Sequence, residues 1–163
     1  MKIFCVVFCV LLAIISATQS QGGDQVEIIL ISNLISGFKK VNIDGNYVFS
    51  QKLLEIFGEY FFNTLNNRPE ILEVIKKAKK NFKERNVGVA FPNKFFRMND
   101  GRNLVIFSGC TPHNCMGTEN IIVYDYSDGK AFLLVENQKQ NAIGIYGNPD
   151  QKIKDLLISH YMK

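Results

Sequence analysis

The residues best suited to chemistry lie together in Phe107-Ser108-Gly109-Cys110-Thr111-Pro112-His113-Asn114-Cys115-Met116-Gly117. Two cysteines five positions apart enclose a proline and one of the chain's 2 histidines. Several chemistries use such residues. A disulfide from Cys110 to Cys115 closes a small ring and removes roughly 2 kcal/mol of unfolded-chain freedom. Its larger effect is local, a stiff loop with Pro112 holding one φ and His113 at the tip, which loses little entropy on docking into a cleft. The same ring also reads as a plain staple at the end of a hairpin. A redox centre would need Cys-x-x-Cys at the start of a helix, and here four residues intervene. A zinc site would have both thiolates and His113, with His160 or a carboxylate as fourth ligand. A free Cys paired with His could act as a nucleophile.

The compartment favours the disulfide. Met1–Ile15 has one positive charge, Lys2, followed by the uncharged, largely branched run Ile3–Ile15 and then Ser16-Ala17-Thr18-Gln19-Ser20. This is the order of a secretory signal peptide, too short in its apolar part to span a bilayer. Residues 1–20 are therefore read as a leader cleaved between Ala17 and Gln21, and residues 21–163 as one domain, secreted or periplasmic. Cleavage removes Cys5 and Cys9 of the 4 cysteines, leaving Cys110 and Cys115 to bond to each other in an oxidising compartment. It also removes Lys2, lowering a formal net charge of +4 by one unit. No Asn-x-Ser/Thr acceptor occurs.

The composition, 47% hydrophobic and 21% charged in 163 residues, suits one domain with a core and excludes a disordered chain. The elements that must hold the loop fall into two styles. Gln25–Lys40, Ser50–Leu65 and Pro69–Lys83 carry apolar residues at helical spacing, with Pro69 suited to a first helical turn. From Val87 the period becomes two. Lys94–Met98 and Asn103–Ser108 flank Asn99-Asp100-Gly101-Arg102, and Asn120–Tyr126 and Lys130–Glu136 flank Ser127-Asp128-Gly129, both hairpin signals. A strand over Ala142–Tyr146 and a final helix with Ile153, Leu156 and Leu157 follow. Helices first and hairpins later predict an α+β fold, a central antiparallel β-sheet with helices packed on one side. Phe57, Phe61, Phe82, Ile106 and Val123 are the expected core.

The basic run Lys76–Arg85 has the residue types for an anionic target, but its cations interleave with Ile75, Ala78 and Phe82, and Glu73 stands four residues before Lys77. A solvated helix face fits better than a nucleic-acid or membrane site. His160 is read as a surface residue near a helix C-terminus. No phosphate-binding glycine loop, nucleophile elbow or paired metal-ligand helix occurs, so no cofactor, metal or catalytic residue is expected, and a secreted hydrolase is unsupported by any motif.

At the cysteine loop the sequence resembles the inhibitors of vertebrate lysozyme, whose motif is Cys-Lys-Pro-His-Asp-Cys and here reads Cys110-Thr111-Pro112-His113-Asn114-Cys115. The likeness extends over roughly Asn63 to Leu157, through Ser108-Gly109, Asn120-Ile121-Ile122-Val123-Tyr124, Ser127-Asp128-Gly129 and Gly147-Asn148-Pro149. It implies a non-catalytic exported inhibitor, in that family often a homodimer, whose disulfide-closed loop enters a lysozyme cleft with its histidine against the catalytic carboxylates. Thr111 stands where the motif has lysine and Asn114 where it has aspartate. Asn114 can hydrogen-bond but cannot raise the pKa of His113 by charge. The alternative is an exported binding module of the same fold with a different, anionic target met through Lys76–Arg85.

Overall fold

A computed structural model describes residues 26–37, 43–60, 68–81, 89–110, 119–137 and 140–162. Its elements in order are β1 (Glu27–Leu30), α1 (Ile31–Gly37), β2 (Gly45–Val48), α2 (Gln51–Phe57), α3 (Pro69–Asn81), β3 (Val89–Ala90), β4 (Lys94–Met98), β5 (Asn103–Cys110), β6 (Glu119–Asp125), β7 (Lys130–Asn137), β8 (Ala142–Tyr146) and α4 (Gln151–Tyr161). The strands form one antiparallel sheet in the order β1-β8-β7-β6-β5-β4-β2, with β3 placed beyond β4 along the same side of β5. The α+β class with an antiparallel sheet is as the sequence predicts.

The helices, however, cover both faces of the sheet rather than one. Leu104, Ile106, Ile121, Val123, Phe132 and Leu134 point to a core closed by Ile153, Leu156 and Leu157 of α4 and by Leu34 of α1. Their neighbours Val105, Phe107, Ile122, Tyr124, Leu133 and Val135 point the other way, to Phe57 of α2 and to Ile71, Val74 and Ala78 of α3. The reason is visible in the runs Leu104-Val105-Ile106-Phe107, Ile121-Ile122-Val123-Tyr124 and Phe132-Leu133-Leu134-Val135. A strand apolar at every position has no face to give to water, so each side needs a helical cover.

The first half departs further from its helical reading. The stretch expected as a helix over Gln25–Lys40 begins as strand, because Glu27–Leu30 pairs with Ala142–Ile145 and only then turns into α1, with the Ile31 N–H donating to the Asn141 carbonyl at 2.9 Å. The helix expected over Ser50–Leu65 starts as predicted, capped by the Ser50 hydroxyl accepting from the Leu53 N–H at 3.3 Å. It stops at Phe57, since Gly58 takes φ 72° and its N–H closes the last turn on the Leu54 carbonyl. Helix α3 starts at Pro69 as expected, and beside its first turn the Arg68 guanidinium lies 5.2 Å from the Phe57 ring and 5.6 Å from the Tyr124 ring. Of the expected core, Phe57, Ile106 and Val123 are buried, while Phe61 and Phe82 lie outside the described residues.

The two Asp-Gly hairpins turn where predicted, with Gly101 at φ 93° and Gly129 at φ 65°. The end of the sheet carrying them is tied by charge. Arg102 bonds Asp100 at 2.8 Å and Asp150 at 2.7 Å, and Lys152 bridges Asp44 at 2.5 Å and Asp100 at 3.4 Å. Asp150 is also the cap of α4, accepting from the Ile153 N–H at 2.9 Å. One carboxylate thus joins the β4–β5 hairpin to the start of α4. Asp150→Ala should lower the unfolding free energy by about 1–2 kcal/mol, measured by urea denaturation, because it removes both cap and partner. The Arg102 hydrogen bond holds the Asp100 carboxyl well below the ordinary carboxylate range. The stability it contributes is full above about pH 4 and is lost as pH falls toward the depressed value. Urea midpoints should therefore fall on acidification below that pH, and less steeply in Arg102→Met.

Candidate functional site

The base of the cysteine loop is among the most firmly held places in the sheet. β5 and β6 pair over seven rungs, from Leu104↔Asp125 to Cys110↔Glu119. On its other side the end of β5 pairs with β3, Val89 opposite Cys110 and Ala90 opposite Gly109. Cys110 is therefore flanked by strands on both sides and completely buried. It is a disulfide cysteine, and its partner falls outside the described residues. Residues 111–118 connect the opposed strand ends Cys110 and Glu119. Thr111, Pro112, His113, Asn114 and Cys115 themselves lie outside the described residues. Beside the loop's return, Asn120 is buried opposite Gly109, and its Nδ2 has no hydrogen-bond partner.

The antiparallel order settles which features share this end of the sheet. The β7–β8 connection, with Asn137 opposite Ala142, and the β1–α1 junction at Leu30 lie on the loop's side, as do the end of β2 and the start of β4. The cluster of Asp44, Asp100, Arg102, Asp150 and Lys152 is at the opposite end, so it braces the frame away from the paired strand ends Cys110 and Glu119.

Other sequence candidates are separated from it. His160 is not a surface residue. It is buried on α4, with Nδ1 3.4 Å from the Tyr47 hydroxyl of β2. The α4 face that carries Leu156 and Leu157 into the core carries its last turn against the sheet edge, which a dipole argument alone does not reveal. On α3, which carries the start of the basic run, Ile71, Val74 and Ala78 are buried, and Lys77 pairs with Glu73 at 2.9 Å. Lys76 is exposed, so the described start of the run presents its cations to solvent, while the side chains of residues 79–81 and all of residues 82–85 lie outside the described residues. Among the described residues, no group of three or more His, Cys, Asp and Glu side chains could hold a metal, and no helix is long and apolar enough to cross a membrane.

One surface was not foreseen. An open groove of about 750 Å³ runs between α2 and the adjoining ends of β2 and β4. The Asn93 side chain sets its shape, donating to the carbonyls of Phe57 at 3.5 Å and Gly58 at 3.0 Å, while the Asn93 N–H donates to the Glu59 carbonyl at 2.7 Å. These bonds clamp the end of α2 onto the segment entering β4. No period in the sequence marks the strand that lines it, since Asn46-Tyr47-Val48-Phe49 has three apolar residues in a row and does not alternate. The groove itself joins segments more than thirty positions apart, which no local pattern displays.

The family model described as inhibitor of vertebrate lysozyme matches residues 70–156, more than half of the chain. The matched span runs from the first turn of α3 to Leu156 of α4, and so includes β3 to β8 and the loop between Cys110 and Glu119. It falls inside the range over which the motif likeness was read, beginning somewhat later. Neither the comparison with curated proteins nor that with solved structures returns a match. With a two-faced antiparallel sheet holding this hairpin and a family match covering most of that sheet, the chain belongs to the inhibitor of vertebrate lysozyme family.

Proposed function

We propose that this protein is a secreted, non-catalytic inhibitor of a lysozyme-type glycosidase that inserts the loop Cys110-Thr111-Pro112-His113-Asn114-Cys115 into the active-site cleft. Family membership over residues 70–156 is the observation that carries this reading. The buried, disulfide-bonded position of Cys110 at the end of a doubly paired strand supports it, because that anchors one end of the loop in the core. In this reading residues 1–20 are a cleaved leader and residues 21–163 one exported domain. Cys115 is then the partner of Cys110.

The chemistry is that of a plug. A retaining glycosidase holds one protonated and one ionised carboxyl about 5 Å apart. The His113 imidazole placed between them donates to the ionised group and satisfies the other, while the loop excludes substrate and water. Pro112 and the ring closure limit the conformations the loop must give up on entry. Thr111 and Asn114 make this loop less charged than the lysine- and aspartate-bearing motif of the family. His113 therefore relies on the target's carboxylates, and not on its own neighbour, for its proton.

Two measurements check these points. Titration of the mature protein with a thiol reagent, denatured but unreduced, should find no free thiol; two per chain would remove the closed ring. Inhibition constants against a lysozyme that the wild type inhibits should weaken at least about a hundred-fold in His113→Ala, because an ionised acid is then buried without a partner. Asn114→Asp should tighten inhibition by only a few-fold, since an exposed neighbouring charge is screened. An unchanged constant in His113→Ala would overturn the plug.

A further inference from the structure

We infer that the groove between α2 and the β2 and β4 ends is a second contact surface for the same target, taking an apolar and basic patch on the lysozyme beside its cleft. This rests on the reading of the chain as a lysozyme inhibitor and adds a surface that the loop does not provide.

Position is the first support. The Phe91 N–H donates to the Ser108 carbonyl at 2.9 Å, and Phe91 leads directly into Pro92, which lines the groove. Ser108 precedes Cys110 by two residues, so at about 3.3 Å per residue the groove's rim stands within about 10 Å of the loop's base. Both features are at the same end of the sheet. A globular enzyme engaging the loop would reach this rim without either partner changing shape.

Chemistry is the second support. Phe49, 82% exposed, is the most exposed of the large hydrophobic residues described, and it lines the groove with Leu54 and Pro92. Among the residues that line the groove stand the exposed carboxylates of Glu55 and Glu59 and the exposed ammonium of Lys94, two negative charges to one positive, while Lys52 lies outside the lining on the same helix. The chain as a whole is positive, with a formal net charge of +4, so this acidic rim runs against the general field. Such a rim fits a lysozyme whose surface beside the cleft is basic. A locally acidic rim beside an aromatic anchor supplies the complementarity that the net charge denies, with the ring giving affinity and the carboxylates giving orientation and association rate.

The test uses the oxidised mature protein, an animal lysozyme, and three variants: Phe49→Ser, Glu55→Lys with Glu59→Lys, and His113→Ala. Binding is followed by calorimetry and association kinetics at low and high salt. All substituted groove positions are exposed, so circular dichroism should match the wild type. Phe49→Ser should weaken binding about ten-fold. The double charge reversal should slow association, and the difference should shrink as salt rises. Binding by both groove variants at wild-type strength, while His113→Ala is impaired, would overturn the second surface and leave the plug standing. The reverse pattern would keep the groove and overturn the plug. No binding of any lysozyme by the wild type would overturn both. Sedimentation of the free protein completes the test: a wild-type dimer that Phe49→Ser dissociates would assign the groove to a second copy of this chain and overturn its assignment to lysozyme.

Discussion

The pairing of β5 with β6 is the constraint on which everything else hangs. Seven consecutive rungs, apolar on both faces through Leu104–Phe107 and Ile121–Tyr124, fix the opposition of Cys110 to Glu119. A slip of one residue would turn each strand's side chains to the opposite helical cover, so two differently shaped cores resist it together. The register in turn dictates where the chain leaves the sheet and where it returns. The two points between which residues 111–118 run are therefore set by the core.

The rest of the frame supports that ladder from its ends. At the far end the Asp100-Gly101 turn is tied to α4 through Arg102, Asp150 and Lys152, so the helix that closes one face starts from the hairpin it must cover. At the near end β3 adds a second partner to the last two residues of β5, and the segment that follows it is clamped to α2 by Asn93. Helix α2 covers the other face through Phe57, whose ring also meets Phe95, Tyr124 and Tyr126. Both candidate contact surfaces thus grow from one short path, Val89 to Lys94.

Much of this was legible in the sequence where local chemistry decides the structure. Asp100-Gly101 and Asp128-Gly129 mark turns because glycine accepts positive φ, and Pro69 marks the start of α3. Ala142–Tyr146 emerges with the predicted bounds. Legibility failed where tertiary pairing overrides local period. Glu27–Leu30 has helical spacing but becomes an edge strand, since β8 offers it a free side. Gly45–Val48 is four residues long and exposed at two of them, too short and too wet for a pattern. The second helical layer was implicit in the unbroken apolar runs but hidden by the turn-derived alternation. His160 shows the same limit, buried by packing against the sheet edge. The loop's motif was plain as a string of residues, while the groove beside it exists only once residues 47–59 meet residues 92–95.

A loop proposed to occupy a lysozyme's cleft must exclude any other occupant of that cleft. Competition between this protein and a chitooligosaccharide that fills the same cleft tests it most directly. Equilibrium binding to a susceptible lysozyme, measured at rising oligosaccharide concentration, should show mutually exclusive occupancy, with apparent affinity falling in proportion to saccharide saturation. A ternary complex, in which protein and oligosaccharide bind the enzyme together without mutual loss of affinity, would contradict it.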